Sequence, residues 1–269
     1  MNDARRDACV RETQRARASR HHAPPCIRAG EGPRRYVGAV SDVPPGTADA
    51  LAAWGLPSKG ESRLPVLAVV AVAIFLQVIL PDRLLVSGAI RILVPALEGL
   101  LLIVLLIANP GGIITPEQRR LRVLGVSVIA LITVANAVSL IILIHALLYG
   151  AKTTGRPLVY ASVPIWLTNV IAFGLWYWEL DRGGPAARCL PKHRRPDFLF
   201  PQMGARGADP TWSPNFGDYL YTSFTNATAF SPTDSMPLTG WAKLLMALQS
   251  LASLITLAVV ISRAVNILA

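Results

Sequence analysis

Thr228, Ser231, Thr233 and Asp234 gather three hydroxyls and a carboxylate in one short stretch, a set of oxygen donors suited to a cation. Downstream, Gln249, Ser253, Thr256 and Arg263 follow at spacings of four, three and seven. On a helix these positions share one stripe, which must meet protein or water and therefore either bonds helices together or lines a conduction path. Arg91 and Glu98 stand seven apart around Pro95, within about 20° of one helical face. A carboxylate at mid-span costs about 2.5–3.5 kcal/mol on insertion scales, so Glu98 is expected to face a bundle, paired or protonated, as a structural joint or as a proton or cation site. No Ser-His-Asp grouping and no phosphate-cradling Gly loop occurs in or near the apolar segments, and His21, His22 and Cys26 have no fourth ligand at zinc spacing. The expectation is a protein that is not an enzyme, with no cofactor and no metal.

The elements that would position these residues are long apolar blocks. The chain has 269 residues, 52% of them hydrophobic and 16% charged, with a mean hydropathy of +0.45. Five blocks, 64–80, 84–108, 121–149, 158–180 and 241–268, each reach the roughly 17–25 residues that cross a hydrocarbon core as a helix. The fold class expected is all-α: a polytopic helical membrane domain over 64–269 with about five transmembrane helices and one re-entrant or interfacial half-helix. No short basic start with an adjacent apolar core precedes the first block, so insertion is expected to use that span itself. Cys9, Cys26 and Cys189 all lie outside the blocks and suggest no disulfide framework.

Charge sets the expected orientation. Residues 1–63 carry eleven Lys or Arg against seven Asp or Glu, residues 182–206 carry six more basic side chains, and Arg119, Arg120 and Arg122 lie between the second and third blocks. Basic loops stay cytoplasmic, which places the amino terminus and residues 181–240 of a multi-pass membrane protein on the cytoplasmic side. Residues 1–63 show no helical or strand period and read as a disordered basic tail. Six prolines between 185 and 214 exclude a continuous helix there, so that segment reads as an extended surface loop in which Phe198 and Phe200 pack onto the bundle.

Between them lies the pore-like segment 217–240. Gly217 and Asp218 offer an N-cap to a helix over Tyr219–Thr228, about ten residues and too short to span. Ser231, Pro232, Thr233 and Asp234 then supply turn chemistry, and Pro237 with Thr239 leads into the last block. Half-helix, turn and span resemble the pore helix, filter, Pro-x-Thr turn and inner helix of two-span potassium channels, with Thr228 and Asp234 at the filter's first and last positions. No glycine lies between Asp218 and Thr239, whereas a carbonyl filter needs glycine for its alternating backbone. The resemblance therefore implies a degenerate, weak or non-selective pore for a monovalent cation, built as a homo-oligomer, tetrameric by the likeness, with Gln249, Ser253 and Thr256 as lining candidates.

The same stretch, with WYWELDRGG at the end of the fourth block and DFLFPQM after it, resembles a family of uncharacterised bacterial integral-membrane proteins with a domain of unknown function. That likeness covers about residues 64–268 and implies a bacterial inner membrane without implying an activity. The alternative to conduction is a scaffold in the lipid bilayer that recruits a cytoplasmic partner or anionic lipid. Nucleic acid is not an expected partner, because seven acidic residues dilute the basic runs of the tail.

Overall fold

Runs of Leu, Ala, Val and Ile broken by few Gly or Pro favour helices that satisfy their own backbone hydrogen bonds. A computed structural model describes residues 61–80, 88–108, 119–149, 155–188, 195–203, 212–230 and 234–268, and these are mostly helical. The helices are α1 (Leu64–Val78), α2 (Gly88–Ala108), α3 (Arg119–Tyr149), α4 (Gly155–Leu180), the single turn α5 (Pro185–Arg188), α6 (Phe216–Ala229) and α7 (Gly240–Leu268). Two of them hold stretches long and apolar enough to cross a membrane, Leu121–Ala146 in α3 and Gly240–Ala258 in α7. All described residues belong to one unit, Asp49–Ala269. Most of the expected basic tail lies outside the described residues, as do residues 81–87.

Helix α4 is the hub and packs against α1, α3, α6 and α7, while α2 closes against α1 and α3. Its contact with α6 is close because Gly174 has no side chain. A Cβ there would stand 3.2 Å from the Leu220 Cα and 3.1 Å from its Cδ1. Gly174→Ala is therefore expected to push α6 outward and lower the unfolding midpoint in detergent, at a cost of about 1–3 kcal/mol. An unchanged midpoint would show that the α4–α6 contact is looser than described.

Around a buried apolar core that includes Ile132, Leu175 and Tyr177, large apolar side chains also lie on the surface. Exposed apolar side chains cover α2, with Ile92 72% and Ile107 74% exposed, and continue along α7 through Leu244, Leu248 and Leu251. Polar Asn169, Ser223, Asn226, Gln249 and Ser253 lie buried between helices.

Three expectations are corrected. The short helix starts at Phe216, because Asn215 outcompetes Gly217 and Asp218 as the N-cap. The Asn215 side chain accepts from Gly217 N at 2.8 Å, and Asp218 Oδ2 accepts from Asn215 N at 2.8 Å, closing a capping box. Phe198 and Phe200 of the 185–216 segment pack as expected, but its described part is more than a surface loop: Arg188 is buried as well, and β1 (Phe198–Leu199) pairs antiparallel with β2 (Met236–Pro237). The boundary of the tail moves too, since Glu61 takes part in the packed core of the protein through Arg188 and Trp178.

Candidate functional site

The hairpin of α6 and α7 is held by a polar zipper centred on Gln249. Its Oε1 accepts from the Tyr177 hydroxyl at 2.6 Å and from Asn226 Nδ2 at 2.8 Å. Its Nε2 donates to the Ser223 carbonyl at 2.9 Å and to Ser223 Oγ at 2.6 Å. Ser223 Oγ donates onward to the Val170 carbonyl at 2.6 Å, and Asn226 Nδ2 also reaches the Met246 carbonyl at 3.0 Å. One turn further along α7, Ser253 Oγ accepts from Asn169 Nδ2 at 3.2 Å, and Thr256 Oγ1 donates to Ala252 O at 2.7 Å within its own helix. Gln249, Ser253 and Thr256 are thus buried among helices of the same chain.

The turn residues stand elsewhere. Thr228 is exposed and folds its hydroxyl back onto the Phe224 and Thr225 carbonyls. Asp234 is exposed and hydrogen-bonds the Tyr221 phenol, which that bond pushes above its usual range. Ser231 and Thr233 lie outside the described residues. Beyond the turn, Ser235 Oγ donates to Thr222 Oγ1 at 3.0 Å, and Leu238 N donates to the Asp197 carbonyl at 2.8 Å. The strand that leaves the turn is therefore fixed to α6 and to the loop ahead of β1. Phe230 closes α6 in the left-handed region at φ 54°.

A second constellation occupies the end of the bundle where α4 stops and α7 begins. Arg188 is wholly buried. Its Nε and Nη2 donate to Glu61 Oε1 at 3.2 and 2.9 Å, and Nη1 donates to the Trp178 and Asp181 carbonyls at 2.7 and 3.2 Å. The guanidinium also lies 5.9 Å from the Trp178 ring centre and 5.2 Å from that of Tyr219. Asp181 accepts from Asp197 N at 2.8 Å, Arg182 Nε at 3.1 Å and the Tyr219 hydroxyl at 2.5 Å. Burial holds the Tyr219 phenol well above its usual range, against the pull of Arg188, so it stays a donor to Asp181. Asp197 in turn accepts from Arg182 N and, at 2.9 Å, from Trp241 Nε1.

The local backbone serves this junction. Arg182 turns through φ 55° and Gly184 through φ 100°. A Cβ on Gly184 would lie 2.8 Å from the Glu179 carbonyl oxygen and 3.0 Å from Arg122 Nη2. That space is occupied because Arg122 donates to Glu179 Oε1 at 2.7 Å and to its carbonyl at 3.3 Å. Six separate segments thereby meet around buried charge, beside the packed rings of Phe198, Tyr219 and Trp241.

Glu98 is wholly buried. Its Oε1 accepts from Gln77 Nε2 of α1 at 3.4 Å, and its Oε2 has no hydrogen-bond partner. Arg91 lies in the first turns of α2, but its side chain lies outside the described residues. Among the described residues no group of three His, Cys, Asp or Glu is placed to hold a metal ion.

Comparison with family models, with curated proteins and with solved structures finds no match. The geometry alone therefore carries the functional reading. Sequence reasoning missed the partners that make both constellations: Tyr177, Asn226 and Ser223 around Gln249, and Glu61, Asp181, Arg188, Asp197 and Tyr219 at the junction. The available signal for the second was charge density: the WELDR run sets three charged residues directly against a Trp-rich helix end.

Proposed function

We propose that this chain is a bacterial inner-membrane protein of five helical spans, α1, α2, α3, α4 and α7, that works as a non-conducting scaffold, its pore-like hairpin closed by packing inside one protomer. The exposed apolar faces of α2 and α7 support the five spans, since patches of that extent suit lipid. The basic loops support an interior amino terminus. The observation that carries the scaffold reading is the Gln249 zipper. Every polar group of that amide is matched by α4 or α6 of the same chain, so none is left to line a path between copies. The charged junction then acts as a rigid platform on the inner side, for a cytoplasmic partner or anionic lipid.

A second reading keeps the hairpin as part of a homotetrameric cation pore. It is favoured by one observation, the exposure of Thr228 and Asp234 at the turn. Proteoliposome flux separates the two. The scaffold reading predicts potassium and sodium leakage equal to that of protein-free liposomes, and no change on Asp234→Asn. Leakage above that background that falls with Asp234→Asn would overturn it.

A further inference from the structure

We propose that Glu98, enclosed between α1 and α2 with Gln77 as its hydrogen-bond partner, is a proton-binding site. Among the described residues Oε1 receives one long hydrogen bond of 3.4 Å and Oε2 receives none, and Glu98 is 0% exposed. An ionised carboxyl so placed would need a cation or several donors to replace its hydration.

Among the described side chains, neither is supplied by the elements packed on α2, which are α1 and α3. Helix α1 carries no titratable side chain between Leu64 and Val78. Helix α3 carries Arg119, Arg120 and Arg122 in its first turn and His145 near its far end, and Arg122 is engaged with Glu179. On α2 itself the other titratable residue is Arg91, seven positions before Glu98, whose side chain lies outside the described residues. A metal cation is the poorer occupant, because it demands several oxygen ligands, and among the described residues the hydrogen-bonding neighbour of the carboxyl is the Gln77 amide nitrogen, a donor. A proton needs only the carboxyl.

Such a group has a characteristic reactivity. A protonated carboxyl in an apolar setting gives its proton to one nitrogen of a carbodiimide while its oxygen adds to the central carbon, forming an O-acylisourea. The acyl group then shifts to nitrogen and leaves a stable N-acylurea. This is an addition with no leaving group and no redox partner.

The test is made on the full chain in native membranes. Dicyclohexylcarbodiimide is expected to modify Glu98, read by mass spectrometry of the peptide, whereas a water-soluble carbodiimide modifies exposed Asp234 and leaves Glu98 untouched. Infrared spectra of the purified protein are expected to show a protonated-carboxyl stretch that Glu98→Gln removes. Gln77→Leu, which keeps the carboxyl and removes only its amide partner, is expected to keep the label. Reaction of Glu98 with the water-soluble reagent, absence of label from the apolar one, or identical carboxyl bands in wild type and Glu98→Gln would overturn the proposal. Protection of Glu98 by sodium or potassium would also overturn it and make the occupant a cation.

Discussion

Arg188→Ala is expected to cost about 3–5 kcal/mol of stability, the range for removing one partner of a buried ion pair. The guanidinium links Glu61 to the carbonyls of Trp178 and Asp181 and stacks on Tyr219, so its loss leaves a mostly buried carboxylate and two carbonyls without their donor. Unfolding of the purified protein in detergent measures the effect. Arg188→Lys is expected to recover little, because an ammonium cannot reproduce the planar fork. Glu61→Gln combined with Arg188→Met is expected to be milder than Arg188→Ala alone, since no buried charge of the pair then remains unmatched. A loss below about 1 kcal/mol for Arg188→Ala, the level of an exposed pair, would show that the junction is hydrated and weakly coupled.

The second large effect concerns the zipper. Gln249→Leu removes four hydrogen bonds to Tyr177, Asn226 and Ser223 at once. Interhelical contacts in membranes average about 0.6 kcal/mol and reach about 1.7, so a loss of about 2–4 kcal/mol is expected. The loss should be non-additive with Asn226→Ala, because the two residues share a bond. Fully additive losses would place the two residues in separate networks.

The longer helices were legible because each coincides with a long apolar run broken by few Gly or Pro. The blocks at 121–149 and 241–268 reappear within a few residues as α3 and α7. The start of α6 was harder, because Asn215, Gly217 and Asp218 all suit an N-cap and only the reciprocal bond between Asn215 and Asp218 decides among them. The stripe of Gln249, Ser253 and Thr256 was legible as a polar face, but its partners were not. Tyr177 lies 72 residues from Gln249, and no local pattern marks such a pairing. Glu61 lies 127 residues from Arg188, in a stretch whose composition reads as solvated. What periodicity can assign is the face of a helix; which distant group meets that face is set by packing.

Cysteine accessibility at Ser253, in a protein lacking Cys9, Cys26 and Cys189, tests the closed hairpin most directly. Ser253→Cys is expected to stay unreactive towards a water-soluble, membrane-impermeant thiol reagent applied from either side, while exposed Asp234→Cys reacts from the inner side. Reaction at Ser253→Cys in the folded protein would place water along α7 and contradict a hairpin closed within one protomer.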